Sequence, residues 1–321
     1  MNIERDLYPL LIAEWGALDL GAPPDRLSSM LIKGNRKSVF CIFSNGRSSP
    51  SAIVKFALQK DDWHRLQNEK ATIDALLECL PELAAQFLSP CILREVGNGL
   101  ALIRRSAPGR PLSVGIRPAN AAGQPTMNFD LVAKAFSALL ILQRRMGHRI
   151  SQTVSPQDAV VVLSREHPLF KLAQETRPAS KNVLSAISDG RLKSTVEHGD
   201  FNPDNLFGNR GHITIIDWEW GSIPGLPLVD YYEFALQTCK ASSIQGMARS
   251  RPIEPGDALT AFGRNAFADR IRTWIDRASL ELGVSPELQT DLLTLHLSRY
   301  FSELDLHLVL RELDLKTGNR D

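Results

Sequence analysis

Apolar and polar positions along residues 28–57 fall into three short strand-like runs separated by turn-forming clusters. Ser29-Met30-Leu31-Ile32 is followed by Lys33-Gly34-Asn35-Arg36-Lys37, then by Ser38-Val39-Phe40-Cys41-Ile42-Phe43. After Ser44-Asn45-Gly46-Arg47 comes Ala52-Ile53-Val54-Lys55-Phe56-Ala57. Short loops rich in Gly, Asn and Ser between such runs predict an antiparallel meander, preceded by a first helix. The period then changes. From about Asp62, placed as an N-cap, to about Leu80, the apolar residues Leu66, Ile73, Leu76, Leu77 and Leu80 recur at intervals of three and four, which predicts an amphipathic helix. Two more strands, Cys91–Arg94 and Gly99–Arg104, surround Gly97-Asn98. Ala107-Pro108-Gly109-Arg110-Pro111 interrupts regular structure, and residues 113–128 read as irregular loop. From Phe129 onward a helix carries Val132, Phe136, Leu139, Leu140 and Leu142. The rest reads as mostly helical, with long segments at about 257–281 and 286–313, the latter opening on Ser285 and Pro286 as N-cap and first-turn residue.

Two charged residues break this pattern. Lys55 stands among apolar residues in the third strand, and Glu69 falls on the apolar face of the helix, three after Leu66 and four before Ile73. A charge on a buried face is costly unless it is paired. The simplest resolution pairs Lys55 with Glu69, which fixes the helix against the sheet and aims an ammonium group at an anion. The ordinary alternative for Lys55 alone is an exposed edge strand.

Composition narrows the classes. The chain has 321 residues, 43% hydrophobic and 23% charged, with a formal net charge of +1. That suits a globular protein of two domains or one large bilobed one, and gives no global field toward nucleic acid or membrane. No apolar run approaches the roughly 18 residues that a membrane-spanning helix needs, and Leu7–Trp15, broken by Pro9 and Glu14, does not read as a signal peptide. Cys41, Cys79, Cys91 and Cys239 include no C-x-x-C pair, and the seven histidines include no H-E-x-x-H. Neither a zinc site nor a disulfide framework is expected, and a reducing cytoplasmic location fits.

The densest chemistry lies in His198-Gly199-Asp200-Phe201-Asn202-Pro203-Asp204-Asn205 and, twelve residues after Asn205, Asp217 in Ile215-Ile216-Asp217-Trp218-Glu219. Asp and Asn beside Gly and Pro often only close solvated turns. Here Leu206-Phe207 and Ile213–Ile216 read as strands around the turn-forming Gly208-Asn209-Arg210-Gly211. A hairpin of that kind returns Asn205 and Asp217 to one end of two paired strands. An Asp that accepts a hydroxyl proton, with an Asn and an Asp that hold Mg²⁺ on a nucleoside triphosphate, is what phosphoryl transfer to an alcohol requires.

The order of these features resembles the protein-kinase-like fold: α+β, an N-terminal antiparallel sheet with one key helix and a larger, mainly helical C-terminal lobe. The wording His198-Gly-Asp-Phe-Asn-Pro-Asp-Asn-Leu-Phe207, and Ile216-Asp-Trp-Glu-Trp-Gly221 followed by Pro224-Gly-Leu-Pro-Leu-Val-Asp230, is similar to the aminoglycoside phosphotransferase and choline kinase branch. The likeness runs from about residue 28 to 235. It implies a nucleotide-binding lobe at 1–105, a connector at 106–112 and a catalytic and acceptor-binding lobe at 113–321. It also implies that Asp200 is the catalytic base, with His198 bracing its loop, and that Asn205 and Asp217 ligate Mg²⁺. Lys55 would hold the α and β phosphates and Glu69 would hold Lys55. Gly34 and Ser38 would lie over the phosphates, and Arg104, Arg105 and Ser106 would lie where the connector meets the base. Asp230 would cap the catalytic-loop backbone. The chain departs from protein kinases in having one glycine in the first turn, Trp-Glu after Asp217, and no Arg between His198 and Asp200.

Only twelve residues separate Asp217 from Asp230, and they include Gly221, Pro224, Gly225 and Pro227. That is too short for an activation segment with a peptide-docking platform, so the expected acceptor is a small hydroxylated molecule such as a sugar, amino sugar, amino alcohol or antibiotic, with ATP or GTP as donor. A catalytically inactive nucleotide-binding relative is the competing reading, and a protein kinase the third. Residues 240–277 carry Lys240, Arg249, Arg251, Arg264, Arg270, Arg272 and Arg277 against Glu254, Asp257, Asp269 and Asp276, a balance that disfavours a highly cationic acceptor. Glu219 and Glu233 are the acidic groups placed to hold one amine.

Overall fold

A computed structural model describes residues 3–33, 37–116, 125–172, 177–209, 211–242 and 251–317. Gly34, Asn35, Arg36, Arg249 and residues 117–124 of the 113–128 loop therefore lie outside the described residues. The chain divides into two compact units, one of residues 1–109 with 214–221, the other of 110–213 with 222–321.

The first unit is built on a five-stranded antiparallel sheet in the order β1-β2-β3-β5-β4, comprising β1 Leu27–Lys33, β2 Ser38–Ser44, β3 Ala52–Ala57, β4 Cys91–Val96 and β5 Gly99–Arg105. The period of two sorts its side chains. Phe40, Ile42, Ala52, Val54, Phe56, Ala101 and Ile103 join one buried cluster with Leu7, Leu11 and Leu18 from the N-terminal segment, which includes helix α1 (Tyr8–Glu14). The register pairs Val39 with Lys55 and Lys55 with Leu102, which puts Lys55 on the opposite face. Helix α2 (Trp63–Cys79) covers that face and buries Leu66, Glu69, Thr72, Ile73 and Leu76, as its periodicity requires; α3 (Pro81–Phe87) follows it. Asp62 precedes α2 as expected but makes no side-chain cap, because a 3₁₀ turn over Lys60–Asp62 already leads into the helix.

In the second unit, the two-residue β6 (Arg110–Pro111) leads to α4 (Phe129–Thr153), whose first turn is capped by Asn128 through the N–H groups of Asp130 and Leu131. Helices α5 (Pro156–Glu166), α6 (Pro168–Leu172) and α7 (Arg177–Ser188) precede β7 (Thr195–Glu197), and β8 (Leu206–Asn209) and β9 (His212–Ile215) form the expected hairpin in a sheet of order β6-β8-β9. Residues Thr214 and Ile215 of β9 already count with the first unit. The remaining elements are β10 (Ser222–Gly225), which pairs with β7, and α8 (Val229–Ser242), α9 (Pro255–Phe262), α10 (Ala266–Leu282), α11 (Pro286–Leu297) and α12 (Glu303–Thr317).

The two long C-terminal segments are each split, and the splits have local causes. The Asn265 side chain accepts from the Ala268 N–H and donates to the Thr260 carbonyl, so it caps a new helix just after Gly263 ends the previous one. Ser302 likewise accepts from the Asp305 N–H at 3.3 Å and starts α12 five residues beyond the end of α11. Capping side chains compete with helix continuation, and an apolar period read across them misses the break.

The core of the second unit is aromatic. Phe136 on α4 lies 4.9 Å from Tyr231, 5.0 Å from Phe234 and 6.4 Å from Phe201 by ring centroids, with all four side chains buried. Phe201 belongs to the Asp200 loop, so this core anchors that loop. Replacing Phe136 with Ala should lower the unfolding free energy of the second unit by about 3–5 kcal/mol in chemical denaturation.

Candidate active site

In the first unit five charged side chains converge. Lys55, only 5% exposed, places Nζ 2.5 Å from Glu69 Oε2 and 2.5 Å from Asp217 Oδ1. Glu69 is fully buried and its Oε1 has no hydrogen-bond partner among the described residues. Asp217 enters this unit on the short segment 214–221, held to α2 by Asn68, whose Nδ2 donates to the carbonyls of Glu219 (3.1 Å) and Gly221 (2.9 Å). A Cβ at Gly221 would stand 2.8 Å from Thr72 Cγ2, so the segment can lie this close to α2 only with glycine there. Asp217 itself is left-handed, with φ 69° and ψ 55°. Burial pushes its carboxyl up, but Lys55, with further help from Lys37 and Arg104, holds it below the usual carboxylate range. Lys37 forms an ion pair with Glu219. Burial first, and then the neighbouring Lys55, lower the Lys37 ammonium pKa.

Carboxylate oxygens of Glu69, Asp217 and Glu219 lie within 4.8 Å of one another. Hard oxygen donors at that spacing, one of them buried without a partner, fit a divalent cation such as Mg²⁺.

Elsewhere on the sheet, Arg104 is 5% exposed, with a buried Nε that has no hydrogen-bond partner among the described residues. It pairs in register with Ile53, two residues from Lys55, and so faces the same side as Lys55. Arg105 is exposed and 3.6 Å from Asp19, and the Ser106 N–H donates to the Ser51 carbonyl. Ser38 opens β2 opposite Phe56. Gly34 lies outside the described residues.

In the second unit, residues 198–205 form a tight loop around Asp200. Gly199 has φ 77°, a conformation that glycine takes at no steric cost. Asp230, fully buried at the start of α8, accepts from the His198 N–H at 2.8 Å and the Gly199 N–H at 3.0 Å. Burial and then Glu197 push its carboxyl up, against the pull of these two donors. His198 Nδ1 accepts from the Asp200 N–H at 3.3 Å, so a neutral ring carries its proton on Nε2. Asp200 accepts from Asn202 Nδ2 at 2.7 Å on Oδ1 and from Asn205 Nδ2 at 3.0 Å on Oδ2. Asn205 Nδ2 also reaches the Asp200 carbonyl, which leaves the amide oxygen Oδ1 for a cation. Asn202 caps the turn at Asp204 and Asn205, and so fixes the loop from inside.

Behind the loop lies a layer of buried charge that periodicity and motif did not indicate. Glu197 Oε2 is 2.7 Å from His167 Nε2 and accepts from the Leu226 N–H at 3.0 Å. His167 Nδ1 accepts from the Leu169 N–H, so Nε2 is the donor to Glu197. The β10 strand passes so close that a Cβ on Gly225 would meet Glu197 Cβ at 2.5 Å. Glu233 accepts from Tyr300 (2.5 Å) and Gln237 (2.8 Å), with His296 Nε2 at 3.3 Å and Arg299 at 4.0 Å. Burial raises its carboxyl, but His296, Arg299 and Tyr300 together bring it down to about 2. Glu219 and Glu233, the candidate amine holders, are therefore both engaged internally, by Lys37 and by this buried group. No spacing signal in the sequence links Glu233 to residues 296–300.

The structure thus brings Lys55, Glu69 and Asp217 together in one unit, and His198, Asp200, Asn205 and Asp230 together in the other. No protein-family model matches the sequence, and no curated protein matches it. Solved structures do. A candidate aminoglycoside phosphotransferase of Ralstonia eutropha JMP134 aligns over 99% of this chain and 92% of its own, at 15% identity and a TM-score of 0.50. The aminoglycoside phosphotransferase APH(3'')-Id of Streptomyces rimosus, solved with ADP and streptomycin, aligns over 94% of this chain and all of its own, at 13% identity and a TM-score of 0.49. Identities this low define a fold and nothing finer. The chain has a protein-kinase-like fold, α+β, with an N-terminal antiparallel sheet and a larger, mainly helical C-terminal part.

Two outcomes follow from the buried charges. Lys55→Met leaves Glu69 buried without a cation and should cost the first unit about 3–5 kcal/mol, read by chemical denaturation; Lys55→Met with Glu69→Gln should recover part of that loss. The second outcome concerns acid. The Glu233 carboxyl is depressed from 4.5 to about 2, so its contribution is present above about pH 4.5 and fades as pH falls toward 2. A shift of that size corresponds to about 3 kcal/mol. His296 is held below its ordinary 6.5, chiefly by burial, so the unfolded chain takes up that proton first and stability already declines below about pH 6.5. Unfolding titrations between pH 7 and pH 3 should show both steps, and Glu233→Gln should flatten the lower one; an unchanged lower slope would contradict this assignment.

Proposed function

We propose that this protein is a phosphotransferase that moves the γ-phosphoryl of a Mg²⁺-bound nucleoside triphosphate to a hydroxyl of a small molecule. The observation that carries the proposal is the Asp200 carboxylate, held on both oxygens by Asn202 and Asn205 in a loop whose backbone N–H groups end on Asp230. Such a carboxylate is rigid, oriented and partly exposed, as a base that receives a hydroxyl proton must be. The acceptor oxygen forms a bond to the γ-phosphorus, the bond from that phosphorus to the β-γ bridging oxygen breaks, and the hydroxyl proton passes to Asp200.

On this reading Lys55 holds the α and β phosphates, and Glu69 fixes the lysine's position. Asn205 and Asp217 would hold magnesium, with Glu219, whose carboxylate lies near that of Asp217, as a further candidate. When bound, the metal neutralises charge on the phosphate oxygens. Asp230 and His198 position the loop and touch no substrate. Arg104, with donors only, faces the same side of the sheet as Lys55, while Ser38, Arg105 and Ser106 lie at strand ends, at the start of β2 and the end of β5. The fold shared with aminoglycoside phosphotransferases supports the reaction class. The short link from Asp217 to Asp230 supports a small acceptor over a protein. The internal engagement of Glu219 and Glu233 disfavours a polycationic one and leaves a neutral sugar or an amino alcohol with few charges.

Asp200→Asn should reduce transfer by about a hundredfold or more, in a panel of amino sugars, amino alcohols and sugars assayed with ATP and with GTP, while Mg·ADP or Mg·GDP binding stays within a few-fold. Undiminished transfer in that variant would sink the assignment.

A further inference from the structure

The charge cluster of the first unit contains one cation that the proposed mechanism does not use. Lys37, at the entry of β2, reaches Glu219, and its side chain is 15% exposed against 10% for that of Glu219. Lys55 makes the matching contact with Asp217. Two lysines therefore stand against carboxylates that, on the reading above, are the metal's, and each lysine is an ammonium suited to a phosphate oxygen. With Glu69 and the neighbouring Arg104 included, the described residues supply three positive and three negative groups, and one oxygen of Glu69 is buried without a partner among them.

We propose that Lys37 is a second phosphate-binding cation, and that Mg-nucleotide binding exchanges the partners of two ion pairs at once. Lys37 and Lys55 pass from Glu219 and Asp217 to phosphate oxygens, while the two carboxylates pass to the metal. This inference rests on the proposed nucleotide chemistry and adds its consequence for binding. A nucleotide arriving without metal brings several negative charges to a cluster with no surplus of positive charge, and would strip the lysines from carboxylates left uncompensated in a poorly hydrated place. Metal arriving alone would strand two ammonium groups in the same way. Only the pair supplies every group with an opposite charge, so metal and nucleotide each bind weakly alone and tightly together, a reciprocal coupling between two ligands. Lys37 meets Glu219, Lys55 meets Glu69 and Asp217, and oxygens of the three carboxylates lie within 4.8 Å of one another, so both cations border one cluster and can act on one polyphosphate.

Calorimetric titration of the full chain with ADP, with and without Mg²⁺, and with adenosine tests this without any acceptor or turnover. The unsubstituted protein should bind ADP at least tenfold more tightly with Mg²⁺ than without. Lys37→Met should weaken Mg·ADP by about 10- to 100-fold, the span of a hydrogen bond between charged groups, and leave adenosine unchanged. Lys37→Arg should stay within a few-fold of the original. Glu219→Gln, which frees Lys37 without removing it, should tighten metal-free ADP and shrink the Mg²⁺ dependence. Mg·ADP affinity unchanged in Lys37→Met, or a Mg²⁺ dependence undiminished in Glu219→Gln, overturns the inference while the proposed function stands. Failure of the unsubstituted protein to bind ADP or GDP in either condition overturns both.

Discussion

The structure depends on one buried ammonium. Lys55 lies within the sheet of the first unit, away from water, and a lone charge there would cost several kcal/mol. Glu69 and Asp217, each 2.5 Å away, make the position tenable. They come from quite different parts of the chain: Glu69 from a helix laid across the sheet, Asp217 from a segment 162 residues beyond Lys55. One electrostatic requirement thus fixes where α2 sits and draws residues 214–221 into the first unit, although the chain on either side belongs to the second. Asn68 and Gly221 serve the same docking with backbone hydrogen bonds and close approach. The pairing is also reversible in kind, because a carboxylate bound to a lysine can be claimed by a metal and the lysine by a phosphate.

The second unit solves a different problem, the support of an irregular loop. Its N–H groups at His198 and Gly199 have no helix or strand to satisfy them, and Asp230 does so from the next helix. Phe201 sinks into the aromatic cluster around Phe136, so an apolar anchor and a polar cap act on neighbouring residues. Glu197, His167 and the close-packed Gly225 stiffen the strand that delivers the loop. Rigidity under Asp200 is therefore produced by groups buried behind its loop.

Much of this was legible in the sequence because the signals were local or periodic. The meander, α2 and the hairpin followed from periods of two and 3.6 and from turn residues. Glu69 stood out as an acid in phase with apolar neighbours, and Lys55 as its mirror image. The Asp200 loop was legible because its residues are contiguous. What escaped was long-range or depended on single side chains. The breaks after Gly263 and before Glu303 turn on the caps Asn265 and Ser302, which an apolar period runs straight through. Strands β7 and β10 are three and four residues long, too short to show a period. The sequestering of Glu233 by Tyr300 and Gln237, and of Glu219 by Lys37, rests on contacts that no spacing rule contains.

The left-handed backbone at Asp217 has a consequence for how this site can change. Asn and Gly occupy that conformation readily, Asp does so with local hydrogen bonding, and longer or branched side chains do so at a cost. The substitution that keeps the charge, Glu, is thus the awkward one for the turn, whereas the one that removes the charge, Asn, fits it. Chemical and conformational conservatism point in opposite directions at this residue. If Asp217 holds metal as proposed, a descendant of this chain can lose that ligand by a single change that leaves its architecture intact, and cannot so easily replace it with another acid: such a site is simpler to switch off than to remodel.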